Sequence, residues 1–484
     1  PRGSTSPSST MRLRAAATDD VGVAAVTYTV NGVDAGTTTM PPYELEYTAP
    51  AGMLALNVGA TAVDAAGNSA AAPTVAVSVL APQVVGSITL PGAAARIAVN
   101  GNYAYVCSID GLQIIDISVP AAPSLVRTVP LGMTLDIRLF GRLAYAGTNM
   151  AMVVLDIADP ANPAVLSSTP MVAQSLDLVG TAAYIASGTT MRRYDLSDPR
   201  TPAGVGANDQ NTHLIFTRAL GRFALFAHYA SYISTGRLLA LSSAATMNYL
   251  TWYDDMVGNQ VLNNTFNDIS TTGNAFVMAT STGLTAARFN SKPAGPRRID
   301  DPFGFAAVAW QDAWLIGVHD RNVESNQYDT AGVLFDSTSH WALRPRATIS
   351  TGIAASQMIA ADITPTHVFM LSRRQDNASS TVTIAKYRDV SDTFGAAPSI
   401  SISASGPASR DRLLRITAAA TDDVGVAAVT FTLNGVDVAT DSNAPFDVTI
   451  IVPPGAASPA VIGARATDFG GNVRNAATVS LPLQ

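Results

Sequence analysis

Apolar and polar residues alternate in short runs along this 484-residue chain. Near one end Val26, Tyr28 and Val30 fall on one side of an extended segment, because successive side chains of a strand point to opposite faces. Asn31-Gly32 follows as a strong hairpin signal. The pattern returns near the other end as Val429, Phe431 and Leu433, followed by Asn434-Gly435. It belongs to a longer duplication: residues 15–27 recur as 418–430, 31–34 as 434–437, and Asp64-Ala65-Ala66-Gly67-Asn68 is echoed by Asp468-Phe469-Gly470-Gly471-Asn472. Strands at such short, regular spacing over some 80 residues predict an immunoglobulin-like β-sandwich at each end, over 1–81 and 398–484.

Between them, over 84–393, a second period of about 40 residues appears. Tyr105, Tyr145 and Tyr184 keep it, as do Asp116, Asp156 and Asp195, and Pro123, Pro163 and Pro202. A unit of this length with four strands is a small sheet with two apolar faces. Only neighbours on both sides can bury them, so the spacing predicts a closed β-propeller. Strand counting gives seven blades: 94–130, 133–170, 173–206, 212–256, 265–299, 303–351 and a last one from residue 357. The last has three candidate strands, Gln357–Ile363, Thr366–Ser372 and Val382–Asp389. Val84–Leu90, which precedes the first blade, is expected to supply its fourth strand and close the ring. Both end modules would then leave from one blade. Asp116, Asp156 and Asp195 recur from blade to blade, which favours a structural role as hydrogen-bond acceptors.

The fold class expected is therefore all-β, a seven-bladed β-propeller between two immunoglobulin-like sandwiches. The copies differ at one point. Ser399-Ile400-Ser401-Ile402-Ser403 forms an alternating strand before the second copy, and its counterpart would lie before residue 1. The first sandwich is thus expected to lack most of its first strand, so that the chain belongs to a longer array or a neighbour adds a strand there. The sequence opens Pro1-Arg2-Gly3-Ser4, without Met or signal peptide, so any targeting segment is removed or lies upstream.

The charge balance narrows the partners. Net charge is −7, spread evenly over the three parts, and lysine occurs only at Lys292 and Lys386. No stretch is basic enough to track a phosphate backbone, which argues against nucleic acid. No apolar run reaches the roughly 18 residues of a membrane span. The single cysteine, Cys107, rules out an internal disulfide and a Cys-based zinc site, and its apolar strand marks it as a small buried hydrophobe.

The end modules resemble the bacterial Ig-like repeats of secreted and surface proteins, through Thr18-Asp19-Asp20, Asn31-Gly32-Val33-Asp34, Pro42-Tyr43 and Asp64–Asn68, with Ala444-Pro445-Phe446 in the second copy. The middle is similar to the LVIVD repeat, a propeller-blade motif of bacterial surface proteins. The likeness rests on Ile114-Ile115-Asp116-Ile117, Val153-Val154-Leu155-Asp156-Ile157-Ala158-Asp159-Pro160 and Tyr194-Asp195-Leu196-Ser197-Asp198-Pro199. Both resemblances imply an extracellular or cell-surface location and modular use.

Candidate chemistry is sparse. The later blades carry insertions between their second and third strands at Tyr229–Gly236, Asp320–Gly332 and Arg373–Ser380, together with all histidines and tryptophans. A binding face of His228, Tyr229, Tyr232, His319, Asp320, Arg321, Tyr328, Arg373 and Arg374 is the first expectation, since aromatic and Arg side chains suit sugars or peptides. Drift in tolerant polar loops is the alternative. Acidic turns at Asp19, Asp20 and Asp64, and at Asp422, Asp423 and Asp468, could supply some of the oxygens calcium needs, or could serve turn geometry alone. No zinc-protease, nucleophile-elbow, phosphate-loop or dinucleotide motif is present. The paired acids Asp254-Asp255 and Asp300-Asp301 would point to opposite faces, so no catalytic residue is assigned. The expected role is structural or adhesive, as part of a larger surface fibre, layer or adhesin. Its partners would be further copies of itself or neighbouring Ig-like domains. A carbohydrate- or peptide-binding propeller, engaging surface glycans, is second and a polysaccharide-active enzyme third.

Overall fold

The computed structural model describes residues 4–5, 10–49, 55–79, 82–179, 181–209, 213–220, 223–230, 233–240, 248–252, 266–272, 275–280, 283–288, 297–300, 304–311, 314–324, 327–336, 343–353, 356–387, 397–405, 408–410, 412–422, 425–441, 446–468 and 471–483. Among these residues every regular element is a strand.

The middle of the chain forms seven four-stranded antiparallel sheets among the described residues. Six are built from consecutive strands. The first runs Ala94–Asn100, Tyr103–Ser108, Gly111–Asp116 and Ser124–Val129, and the second Thr134–Phe140, Leu143–Thr148, Ala151–Asp156 and Ala164–Pro170. The seventh is composite. Ser356–Ile363, His367–Arg374 and Ser379–Lys386 are completed by Gln83–Pro91, with Val382 opposite Ile88 and Lys386 opposite Gln83. The segment expected to close the ring pairs where the alternation placed it. The first strand of each sheet lies beside the first strand of the next, and Ser356–Ile363 of the seventh lies beside Ala94–Asn100 of the first.

Alternation within each strand explains why the sheets need one another. In the first sheet Tyr105, Cys107, Leu112 and Ile114 pack on Ile137, Ala144 and Leu155 of the second. The intervening Val106 and Ile115 face the opposite way, onto Phe369, Leu371, Val382 and Ile384 of the seventh. Each apolar face is thus covered by a neighbour, which is what makes a ring of two-faced sheets stable. At the seam, Gly86 is required by close approach, since a Cβ there would sit 2.1 Å from the Pro120 carbonyl oxygen. The recurring aspartates do one local job. Asp116, Asp156 and Asp195 each accept the backbone N–H two residues ahead, at 2.8, 3.0 and 2.9 Å, fixing the exit from the third strand.

Each end module packs two sheets. In the second copy Ser399–Ser405, Leu413–Thr421 and Asp447–Ile451 form one sheet, and the other is built around Val426–Leu433 and Ala460–Asp468. Its core includes Ile416, Phe431, Val448 and Ile462. In the first copy the smaller sheet has only Thr10–Arg14 and Glu44–Thr48 among the described residues. Its hairpins turn through left-handed Asn31 and Gly32, with φ of 52° and 79°, matched by 52° and 80° at Asn434 and Gly435.

The second module touches the ring. Ile451 packs against the core between the second and third sheets, the Arg415 guanidinium lies 5.9 Å from the Phe140 ring centroid, and Arg412 Nη1 stands 3.6 Å from Asp198 Oδ2.

Leu90 is 1% exposed in the seam between the seventh and first sheets. Replacing it with alanine should lower unfolding stability by about 2–5 kcal/mol, read as an earlier urea midpoint. A change within error would mean that the seam contributes little to the ring.

Candidate functional site

The innermost strands converge on the axis of the ring, and their alternation is broken by charge. A bulge near the start of five of these strands leaves one residue unpaired, between Ala94 and Arg96, Thr134 and Asp136, Leu214 and Phe216, Phe266 and Asp268, and Met358 and Ala360. Bulges re-aim the side chains that follow. In the first, second and fifth sheets the residue after the bulge is charged: Arg96, Asp136 and Asp268. One pleat further along come Arg138, Asp177, Arg218 and Asp362.

Six of these seven side chains form one network across the axis, and Asp362 lies beside it. Arg96 Nη1 reaches Asp268 Oδ1 at 3.3 Å, joining the first sheet to the fifth, and its Nε lies 4.0 Å from Asp136 Oδ1. Arg138 Nη1 is 3.1 Å from Asp136 Oδ1, and Arg138 Nε donates to Asp177 Oδ1 at 2.8 Å. Arg218 Nη1 lies 3.6 Å from Asp136 Oδ2, and its Nη2 lies 3.3 Å from Asp268 Oδ1. Ser175 Oγ donates to Asp136 Oδ2 at 2.6 Å. Three carboxylates also accept a backbone N–H from the following sheet. Leu176 N donates to Asp136, Val308 N to Asp268, and Val99 N to Asp362, at 3.1, 3.3 and 2.7 Å. The last crosses the seam between the seventh and first sheets.

Charge state follows from these partners. Burial works against the Asp136 anion, but Arg138, Arg218 and Arg96 outweigh it and hold the carboxyl below the usual carboxylate range. Arg138 is held above its ordinary value against its own burial, by Asp136 and Asp177. For Arg218 burial wins, helped by Arg138, and its value falls. Asp362 has no ion-pair partner among the described contacts. Burial pushes it up to about 6, opposed by the N–H groups of Ile363 and Val99 and by Arg138 at longer range.

Beside the network lies a cavity of about 300 Å³. Its lining runs from Arg96 and Asp268 through Arg138, Asp177, Arg218 and Asp362 to Leu139 and Trp310. It therefore extends toward the end of the ring where first and second strands are joined. The insertions expected to form a binding face lie at the opposite end.

Those insertions are strands wherever they are described. Trp314–Glu324 and Gln327–Asp336 continue as one paired ribbon, with Asp320 opposite Thr330 and Asn322 opposite Tyr328. Arg321 pairs with Asp329 in that ribbon. His228 and Tyr229 lie in Phe223–Ala230, paired with Thr235 and Ser234. Tyr232 lies outside the described residues. His319 corrects the expected face, because it is 3% exposed and its ring meets Phe305 edge-on at 5.3 Å between centroids. Its position in the strand turns it inward. Arg373 is half-buried, and Arg374 is exposed with Nη2 2.7 Å from Asp376 Oδ2 in its own turn. The structure thus places the backbone of the described ones at one end of three sheets.

The acidic turns are engaged locally. Asp19 Oδ2 accepts from Val21 N and Gly22 N, at 3.0 and 2.9 Å. Asp20 is exposed, and Asp422 accepts from Gly425 N at 3.1 Å. Asp64 Oδ1 accepts from the N–H groups of Ala66 and Asn68, and Asn68 Nδ2 donates to its Oδ2 at 2.7 Å. That side-chain bond holds Asp64 below its ordinary value. Asp468 and Asn472 repeat the arrangement, and Asp423 lies outside the described residues. Among the described residues no three His, Cys, Asp or Glu side chains cluster as a metal site. Turn capping accounts for the carboxylates whose bonds are resolved.

Family comparison matches an LVIVD repeat to residues 91–130 and 131–169, and a bacterial Ig domain to residues 1–69 and 398–468. The chain carries LVIVD repeats between two bacterial Ig domains. The LVIVD match ends at residue 169, although the next unit, assigned to the same repeat from its sequence, forms a like four-stranded sheet. No curated protein matches the chain. Similar solved structures include the computationally designed Ika8 protein, at 10% identity and TM-score 0.45, covering 63% of this chain and 99% of that one. The Pan2 WD40 domain of Neurospora crassa matches at 10% and 0.46, covering 63% and 95%, and the AfRom2 CNH domain at 11% and 0.41, covering 63% and 98%.

The LVIVD units contribute Arg96, Asp136 and Arg138 to the charged network, and the sheets beyond them contribute the rest. None of the seven was singled out from the sequence. The available signal was a charge at the same place in the first strand of successive units, as in Leu135-Asp136-Ile137-Arg138-Leu139.

Two outcomes test the network. Asp136→Asn removes the buried carboxylate that three guanidinium groups share and should cost about 3–5 kcal/mol of unfolding stability, whereas Asp376→Asn in the exposed turn should leave the urea midpoint close to that of the wild type. The raised Asp362 value has the opposite sign from a salt-bridged acid. The folded state holds its proton up to about pH 6 while the unfolded state releases it near pH 4, so its contribution falls between these values as pH rises. Denaturation at pH 4 and pH 7 should show wild type losing roughly 2–3 kcal/mol relative to Asp362→Asn; a constant difference would contradict it.

Proposed function

We propose that the protein is an extracellular or cell-surface component with a structural or adhesive role. The ring would act as a rigid platform and the bacterial Ig domains as its connectors. One observation carries this reading: the ring is entered and left at the same sheet. Gln83, where the chain arrives from the first Ig domain, pairs with Lys386, from which it departs toward the second. A ring inserted in this way can be carried in a string of modules without interrupting it. Ig-like and repeat modules suit surface display, and their usual roles are non-catalytic.

The partners proposed are further copies of the chain or neighbouring Ig-like domains. In the second copy Ser399–Ser405 covers the edge of Leu413–Thr421 from Arg415 to Thr421. In the first, no strand covers the corresponding edge of Thr10–Arg14 among the described residues, and residues 15–18 are outside any strand. Exposed edges recruit strands, so an alternating segment like Ser399–Ser405 would complete it.

Electron microscopy of the purified full chain across a concentration series should show filaments, sheets or end-to-end oligomers, with sedimentation velocity giving concentration-dependent assembly. A particle that stays monomeric throughout would overturn the assembly reading.

A further inference from the structure

The axial cavity has a composition that the surface role does not use. The inner strands stand side by side around the axis, so matched positions around the ring can be compared. One level holds Arg138, Asp177 and Arg218 on three consecutive sheets, but only Ala98 and Ser270 on the first and fifth. The small residues leave the room, and the cavity of about 300 Å³ occupies it. This volume is at the lower end of small-molecule sites and suits one compact molecule.

The chemistry of the wall selects among compact molecules. The charged lining consists of Arg96, Arg138 and Arg218 against Asp177, Asp268 and Asp362, three of each sign. A net anion or cation would surrender its hydration on entering without meeting a net opposing charge, and that loss is large for ions. A molecule that both donates and accepts around its perimeter fits the alternation. Hydroxyl groups could donate to carboxylates and accept from guanidinium N–H groups, and Ser270 offers a hydroxyl of either sense. Between the charges the wall is apolar at Ala98, Leu139, Ala309 and Ala361, which suits carbon-bound hydrogens.

We propose that the axial cavity is a binding site for a single neutral polyhydroxylated molecule of monosaccharide size. It is separate from the strand edges and Ig domains invoked for assembly, so the two readings can fail independently.

Isothermal titration calorimetry of the full chain with glucose, galactose and N-acetylglucosamine, and with glucuronate and glucosamine as charged counterparts, tests the assignment. At least one neutral sugar should bind one-to-one, with its charged counterpart at least tenfold weaker. Ala98→Leu fills the cavity without replacing an ionised group and should weaken binding at least tenfold, with an unchanged circular dichroism spectrum. Should that variant misfold, Ser270→Leu fills the same space from the fifth sheet and Ser270→Ala removes only the hydroxyl, with several-fold weakening expected. Absence of binding by all three neutral sugars would overturn the proposal. So would equal affinity in a folded, cavity-filled variant, or a preference for the charged forms.

Discussion

Thr89 and Thr381 are 292 positions apart in the chain, yet their hydroxyls meet at 3.3 Å on adjacent strands of one sheet. Everything else in the ring depends on that pairing. Each sheet has two apolar faces, so an open arc would leave one face of its first sheet and one of its last in water. Val106, Ile115, Phe369 and Ile384 would be among the residues exposed. Closure entropy grows only as the logarithm of the loop, so spanning nearly 300 residues costs a few kcal/mol more than a short loop. Burial of two apolar faces, at roughly 25 cal/mol per Å², and a ladder along the whole of Ser379–Lys386 outweigh it. Because the closing strand comes from before the ring, the first and last sheets cannot separate without breaking that ladder.

Closure in turn creates the axial site. Seven first strands brought edge to edge leave an interior that only their own side chains can fill, and this chain fills much of it with charge. Buried ion pairs add little net stability, but losing one partner is costly. The network is therefore better understood as fixing which sheet sits opposite which. Arg96 finds Asp268 across the axis, and Asp136 gathers guanidinium groups from the first, second and fourth sheets. The carboxylate contacts to Leu176 N, Val308 N and Val99 N set the height of each sheet against the next. A register slip would flip every channel-facing residue to the other side of its strand, so a paired interior and a correctly stacked ring exclude the same errors.

The sequence made this ring legible through period and alternation, because both are local and repeat. The duplicated Asn-Gly hairpins, the 40-residue spacing, the missing fourth strand and the capping role of Asp116, Asp156 and Asp195 could be read without knowing what lay across the fold. The network could not. A lone charge in an alternating strand looks like a solvent-facing residue, and the partner of Arg96 lies 172 residues on, at Asp268. Within the expected binding face one residue is corrected: Trp314–Glu324 and Gln327–Asp336 are long paired strands, and alternation there turns His319 onto Phe305. In the acidic turns the geometric reading and the ligand reading use the same residue types. The bonds to Asn68 and Asn472 show the geometric role at Asp64 and Asp468.

The two Ig domains show how a repeated module diverges once one copy faces a fixed neighbour. Both keep an Arg–carboxylate pair on the smaller sheet, Arg12 with Glu44 and Arg415 with Asp447. At the ring contact they differ. Ile451, packed between the second and third sheets, corresponds to Thr48, and Arg412, beside Asp198, corresponds to Ser9. Arg415 spreads over Phe140, which packs on that same core between the second and third sheets. Two of the three residues that hold it there, Ile451 and Arg412, are ones its twin lacks. Docking is thus written into one copy alone, and the contact with the ring is a property of the second domain's surface rather than of the shared module.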